Sequence, residues 1–348
     1  MGAMIQLAEK GLIPDPLIRY GIRRLLDVRL REMPDLRDPD YQQSTNKMVR
    51  ELSRSPIAIE TAAANDQHYE VPADFFRLTL GKQLKYSSGY WDSGARDLDE
   101  AEEHMLALTT ERAGIRNGMK ILDMGCGWGS FSLRTARLFP GCEVHGVSNS
   151  NSQRQYIEAR AKELGLTNLH IRTADMNHFD TDETFDRIVS VEMFEHMRNY
   201  DHLMAKISRW LRPGGQLFVH IFCHKNSPYT FETEGDDNWM GRYFFTGGIM
   251  PSHQLLLYFQ QHLNIRDQWI VGGTNYEKTA LAWLENTDRQ REEVLQVLTD
   301  TYGPREGALW LQRWRIFFLS CAGLFGFRGG TEWWVSHYLF SKKEAPTP

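Results

Sequence analysis

Cysteine is scarce in this chain: four among 348 residues, at positions 126, 142, 223 and 321, none in a Cys-x-x-Cys pair. That spacing suggests neither a zinc site nor a disulfide framework, and reduced, mostly buried thiols are expected. Long apolar runs are missing as well. No window approaches the roughly 18 consecutive apolar residues of a membrane span, and the amino-terminal stretch up to Gly11 lacks a basic region followed by an apolar run. A cytoplasmic protein is the expectation. Nor is there an excess of positive charge. A net charge of −5 gives no general attraction to nucleic acid, so DNA and RNA are not expected partners. Internal repeats and low-complexity tracts do not stand out.

What is present describes a globular chain with a sizeable core, 41% hydrophobic and 24% charged, long enough for one catalytic domain plus substantial additions. Residues 1 to about 60 carry Leu12, Ile13, Leu17, Ile18, Ile22, Leu25, Leu26 and Leu30 at near-helical spacing, with arginines at 19, 23, 24, 29 and 31 between them. The spacing predicts an amphipathic helical arm, broken near Pro34. Such an arm most often packs on its own domain, and a basic one is also able to lie on a membrane or mediate a dimer. The segments His68–Phe76 and Tyr86–Trp91 are too aromatic for a linker. They precede a helix expected at 98–116. From 119 onward strands at 120–124, 143–147, 168–172, 185–190 and 215–221 alternate with helices at 129–139, 150–164 and 199–210. This alternation predicts an α/β fold with a mostly parallel sheet covered on both faces. An aromatic insertion, Trp239–Phe245, and a helical run over 277–318 then read as a lid.

Chemistry concentrates at the expected carboxyl ends of the strands. The run Ile121-Leu-Asp-Met-Gly-Cys-Gly-Trp-Gly129 is a strand ending in an acid followed by a glycine-rich turn. Glycines at 125, 127 and 129 let backbone pass close to a ligand. The spacing is not that of a dinucleotide site, and Asp123 would repel a pyrophosphate. The run looks like motif I of S-adenosylmethionine (SAM)-dependent methyltransferases, in which the acid lies near the cationic methionine moiety. At the second strand end the polar groups are Ser148, Asn149 and Gln153 in place of the common acidic residue, and they suit ribose hydroxyls. After the third strand, Asp175 is placed to accept from an adenine amino group and Met176 to pack on the ring. The fourth strand ends in Glu192-Met-Phe-Glu195-His196. Methyl transfer needs a neutral nucleophile aligned opposite the leaving sulfur, yet most alkylamines are cations near neutral pH. A carboxylate attracts such a cation and an imidazole accepts its proton. His196 is therefore expected as the base, with Glu192 and Glu195 holding substrate and imidazole. No metal is called for. The aromatics Trp310, Trp314, Phe317, Phe318, Phe325, Trp333 and Trp334 are more often core than site, though some would wall a pocket for a flat amine.

Taken together these residues resemble the coclaurine and pavine N-methyltransferase group within the cyclopropane fatty acid synthase-like methyltransferases. The resemblance runs from about residue 66 to the end, on markers that include His68-Tyr-Glu-Val-Pro72, Tyr86-Ser-Ser-Gly-Tyr-Trp91, His220-Ile-Phe-Cys-His-Lys225, Arg242-Tyr-Phe-Phe-Thr-Gly-Gly248, Trp314-Arg-Ile-Phe-Phe318 and Val335-Ser-His-Tyr-Leu-Phe340. It implies a Rossmann-like class I fold in which residues matching Tyr86, Ser87, Gly125, Gly127, Asn149, Gln153, Asp175 and Met176 hold SAM. Tyr69, Glu70, His224, Trp314 and Phe317 match positions near the amine. In the lipid-modifying branch, which needs a bound bicarbonate, the matching positions differ. Ser88 stands at a Cys, Glu192 at a Gly, and Phe222 and Phe317 at an Ile and a Tyr that help hold the anion. A carboxylate there would repel bicarbonate. The implied activity is SAM-dependent N-methylation of a cyclic, aromatic-bearing amine of the benzylisoquinoline or tetrahydroisoquinoline kind, releasing S-adenosylhomocysteine. The alternatives are alkylation of unsaturated acyl chains, or SAM binding without catalysis. The implied division is a helical arm over 1–65, a SAM-binding core with an upstream cap over 66–222, and over 223–348 a substrate lid with the carboxyl-terminal part of the domain. The implied partner is a small-molecule amine, with no nucleic acid, no stable membrane association and a homodimer left open.

Overall fold

Five apolar segments form the parallel half of the central sheet: β1 (Lys120–Met124), β2 (Glu143–Ser148), β3 (Leu169–Thr173), β4 (Phe185–Val191) and β5 (Leu211–His224). The computed structural model describes residues 2–34, 36–37, 39–59, 71–235 and 238–343. A two-stranded ribbon, β6 (Tyr229–Thr230) with β7 (Ile249–Met250), stands apart from that sheet. Two further strands, β8 (Leu263–Val271) and β9 (Trp333–Lys342), join antiparallel, giving the order β3-β2-β1-β4-β5-β9-β8. Chain direction across the sheet reverses between β1 and β4, and ligands of open α/β sheets bind at that switch, beyond the carboxyl ends of the strands.

The five parallel strands coincide with the predicted ones, β5 starting earlier through an irregular register between Phe185 and Arg187. The two antiparallel strands were not anticipated. Residues Trp333–Phe340 are buried at every position, because β9 lies between β5 and β8 and both of its faces are covered. A strand enclosed in this way carries no polar alternation to read. The segment after residue 222 is thus more than a lid, since it completes the sheet.

The helices, in chain order, are α1 (Gly2–Glu9), α2 (Asp15–Glu32), α3 (Pro39–Arg54), α4 (Ala73–Thr79), α5 (Leu98–Arg112), α6 (Ser130–Leu138), α7 (Asn151–Glu163), α8 (Tyr200–Trp210), α9 (Trp239–Tyr243), α10 (Gly273–Arg289), α11 (Arg291–Tyr302) and α12 (Gly307–Phe325). Three begin at side-chain caps: Asp97, Ser150 and Asn199 accept from the backbone N–H groups of Glu100, Gln153 and His202. The helical run expected over 277–318 is three helices, divided near Gln290 and Gly303.

The amphipathic arm packs on its own chain. Ile18 is buried, and a Cβ on Gly323 of α12 would come within 2.7 Å of Ile22 Cγ2, so that glycine lets α2 approach closely. Polar clamps surround the seam. Glu9 accepts from Arg313 Nε and Trp239 Nε1, each at 2.9 Å, and Arg315 bridges Asp15 of the arm and Asp288 of α10. Among the described residues no helix is long and apolar enough to cross a membrane.

Candidate active site

The turn after β1 requires glycine for two separate reasons. Gly125, Gly127 and Gly129 have φ of 84°, 53° and 82°, in the left-handed region that side chains disfavour. At Gly125 a Cβ would also lie 2.7 Å from Met193 Cγ, whereas at Gly127 it would meet nothing within 4 Å, because that backbone faces a cavity. Asp123 ends β1 with its carboxyl buried, accepting from Ser132 Oγ at 2.5 Å. Burial pushes its pKa up to about 7, against the opposing pull of the Ser132 bonds.

The next strand ends converge on the same space. Ser148 Oγ donates to Gln153 Oε1 at 2.6 Å, and Asn149 lines the same cavity. Asp175 Oδ1 accepts from the Asn177 amide at 2.7 Å, which holds the turn that carries Met176. These groups and Gly125, Gly127, Val147, Glu192 and His196 line one cavity. A second cavity shares Gly125, Gly127, Gln153, Glu192 and His196 and continues past Tyr86, Ser87, Asp123, Glu195, Phe222, Phe245, Tyr276, Trp283 and Phe317. A third hollow shares Phe222, Phe245, Tyr276 and Phe317 with the second and extends beneath Ile22, Leu25 and Leu26 of α2. The arm therefore walls a hollow that adjoins the second cavity across these four aromatic rings.

At the junction stands an acidic pair. Glu192 has φ of 50°, a conformation that favours glycine, while its N–H donates to the His220 carbonyl. Glu195 follows in a short 3-10 turn, Phe194–His196, braced by the Tyr200 hydroxyl donating to the Phe194 carbonyl at 2.8 Å. The two carboxyls lie close enough to shift each other's ionisation. Oε1 of Glu192 and Oε2 of Glu195 are buried without an aligned partner. Desolvation raises both pKa values, Glu192 well above the usual carboxylate range and Glu195 to about 8. His196 lines both cavities and stacks on Phe245 with the ring centroids 6.1 Å apart.

This arrangement has a cost that can be measured. Glu195 holds its proton more tightly folded than unfolded, where a carboxyl titrates near about 4.3. Its contribution therefore favours the fold at low pH and is lost as pH rises towards its folded value, and Asp123 and Glu102, both near 7, act in the same direction. A Glu195→Gln variant, which mimics the protonated state, is expected to gain melting temperature over the parent by an amount that grows from about pH 5 to about pH 9. A difference independent of pH would contradict the raised pKa.

Most of the expected site residues converge, and a few do not. Tyr86, Ser87, Asp123, Gly125, Gly127, Asn149, Gln153, Asp175, Met176, Glu192, Glu195, His196, Phe222 and Phe317 all line the first two cavities. His224 and Trp314 are not on those walls. His224 sits past the cavity at the end of β5, where Nδ1 accepts from the Ser227 amide at 2.9 Å and the ring lies 5.1 Å from Trp333. Trp314 is wholly buried one layer back, against Phe75 at 4.6 Å and Phe244 at 5.1 Å. Tyr69 and Glu70 fall outside the described residues.

The sequence reading assigned no role to Tyr276, Lys85, His220 and His337. Lys85 is wholly buried and donates to the Ser88 carbonyl at 2.8 Å and to Ser87 Oγ, and burial lowers its pKa to about 8 against the raising influence of Glu192 and Glu102. A lysine inside an aromatic segment was the available signal. His220 and His337 stood within recognised markers but carried no motif of their own. Glu143, His145 and Glu183 cluster at the start of β2, at the opposite edge of the sheet, and Lys120 Nζ already bridges the two carboxylates at 3.0 and 2.5 Å.

With this geometry in view, the chain can be compared with known proteins. The family model of mycolic acid cyclopropane synthetase matches residues 58–329. The chain is 38% identical over 345 residues to (S)-coclaurine N-methyltransferase of Papaver somniferum, covering 98% of each. It is 34% identical over 346 residues to pavine N-methyltransferase of Thalictrum flavum subsp. glaucum, covering 98% of this chain and 96% of that one. A crystal structure of coclaurine N-methyltransferase bound to N-methylheliamine and SAH aligns with a TM-score of 0.94 at 35% identity, over 98% of this chain and 99% of that one. A cyclopropane synthase of Mycobacterium tuberculosis shares the fold, with a TM-score of 0.70 at 21% identity over 83% of this chain and all of that one.

Proposed function

The chain belongs to the mycolic acid cyclopropane synthetase family and, within it, to the coclaurine and pavine N-methyltransferase group, and from that premise we propose that it methylates the nitrogen of a cyclic, aromatic-bearing amine of the benzylisoquinoline kind. It is a class I SAM-dependent N-methyltransferase. The observation that carries the choice of acceptor is the Glu192–Glu195 pair, two buried carboxyls, each with an oxygen that lacks an aligned hydrogen bond, beside an aromatic-lined cavity. An alkene offers such oxygens nothing, whereas an ammonium supplies both charge and donors.

The residues fit SAM. Gly127 leaves open backbone, the polar atoms of Asn149, Gln153 and Asp175 surround a cavity floored by Met176, and Asp123 stands at the strand end for a cationic group. SAM supplies an electrophilic methyl on a sulfonium. Glu192 and Glu195 would draw the acceptor in as its ammonium ion and orient it. His196, against Phe245, would take the ammonium proton and so free the nitrogen lone pair. Phe222, Phe245, Tyr276 and Phe317 would exclude water and hold a flat ring, and their faces suit a cationic amine by about 0.5–2 kcal/mol. The seating of Ile18 and Ile22 of α2 against the chain supports an arm that packs on its own domain.

The test is S-adenosylhomocysteine release from SAM with a panel of cyclic secondary and tertiary amines, beside phospholipid vesicles with and without bicarbonate. Amine-dependent turnover that falls about 10²–10⁴-fold in His196→Ala is expected. Turnover only with lipid and bicarbonate would overturn the acceptor.

A further inference from the structure

A line of side chains crosses three strands behind Glu192. His220 of β5 pairs in register with His337 of β9, which pairs in register with Trp269 of β8. Both histidines are fully buried. Arg112, the last residue of α5, lies over the Trp269 ring with its guanidinium carbon 5.0 Å from the centroid, and Nη1 is 2.8 Å from His337 Nδ1. His337 Nε2 is 2.8 Å from His220 Nδ1, and His220 Nε2 is 3.2 Å from Glu192 Oε1.

Arginine settles the direction of this chain, because a guanidinium only donates. His337 Nδ1 must therefore accept, which puts the single His337 proton on Nε2. That N–H donates to His220 Nδ1, which puts the His220 proton on Nε2, facing Glu192. Both rings are neutral, and burial together with the charges of Arg112 and Lys85 holds both pKa values well below the usual histidine range. Neither His220 Nε2 nor Glu192 Oε1 has an aligned hydrogen bond in this state. Ionisation of Glu192 is what would draw that N–H into line.

We infer that Arg112, His337 and His220 form a one-way donor chain that positions Glu192 and favours its ionised form as the amine arrives. This rests on the N-methyltransferase reading, with Glu192 at the acceptor. His220 is a positioning residue, and it is barred from acting as the base because Nε2 already carries a proton and Nδ1 is occupied. The acceptor's proton is thereby left to His196 or the carboxyl pair. The groups that face Glu192 are Glu195 from the 3-10 turn, Lys85 from the segment before α5, His220, Cys223 and the Phe222 backbone from β5, and Tyr276 and Cys321 from α10 and α12. Of these, only His220 links it to Arg112.

Two measurements test the inference. In Arg112→Met the acid limb of the kcat/KM profile for the amine is expected to move to higher pH by about one unit, roughly a tenfold loss on that limb, with SAM affinity unchanged. Arg112→Lys, which restores an obligate donor, should recover most of the shift. A profile that superposes on the parent's, or a uniform loss without a shift, would overturn the chain. The second readout needs no turnover: ¹⁵N chemical shifts of the His220 and His337 rings in the parent protein, assigned with His220→Gln and His337→Gln. Neutral rings protonated at Nε2 across about pH 6 to about pH 9 are expected. An Nδ1–H tautomer or an imidazolium at either would sink the inference even if the amine activity stands. Correct tautomers without amine turnover would instead sink the functional reading.

Discussion

Glu192→Gln is expected to lower amine turnover by about 10²–10⁴-fold while the variant still binds SAM and folds, because the substitution keeps size and hydrogen bonding but removes the charge that recruits an ammonium. Glu192→Gly sharpens the test. The backbone at Glu192 has φ of 50°, which disfavours a side chain by about 1–2 kcal/mol and suits glycine. Glycine also removes a carboxyl that burial holds far from its ordinary pKa. The glycine variant is thus expected to be at least as stable as the parent and nearly inactive on amines. Stability by unfolding and activity by S-adenosylhomocysteine release would be read on the same preparations. A glycine variant that keeps substantial amine turnover would remove Glu192 from the mechanism.

Trp314→Ala should cost about 3–5 kcal/mol of stability, the range for deleting a large aromatic from a packed core. Its ring lies among Phe75, Phe244, Phe317 and Phe318, at centroid distances of 4.6, 5.1, 5.6 and 5.7 Å. It backs Tyr86 and Phe317, which line the cavity, so any change in amine KM follows from their loss of support. Trp314→Phe, which keeps most of the packing, should recover most of the loss. An alanine variant of unchanged stability with only a raised KM would show Trp314 to be a wall of the cavity and not its backing.

Legibility differed between the two halves of the chain. The β1 glycines, Asp123, the Asn149–Gln153 and Asp175–Met176 turns and the Glu192–His196 segment were readable because each lies in a short local pattern at the end of a parallel strand. The Rossmann-like topology brings such ends together whatever the rest of the chain does. His224 lies off the cavity walls, because a marker gives order along β5 and not the point at which the strand passes the cavity. Trp314 and Phe317 lie three apart on α12, yet only Phe317 reaches the space between the elements.

The sequence by itself determined the parallel strands, the methyl-donor class, the acidic pair with its histidine, and the amphipathic character of the arm, since all of these rest on contacts between near neighbours in the chain. Only the tertiary structure decided that β8 and β9 complete the sheet, that the arm walls a hollow beside the second cavity, and that Arg112, His337 and His220 line up behind Glu192. Each of these joins residues far apart in the chain, where no periodicity records the pairing and only the shared burial of apolar surface and the satisfaction of buried donors select it.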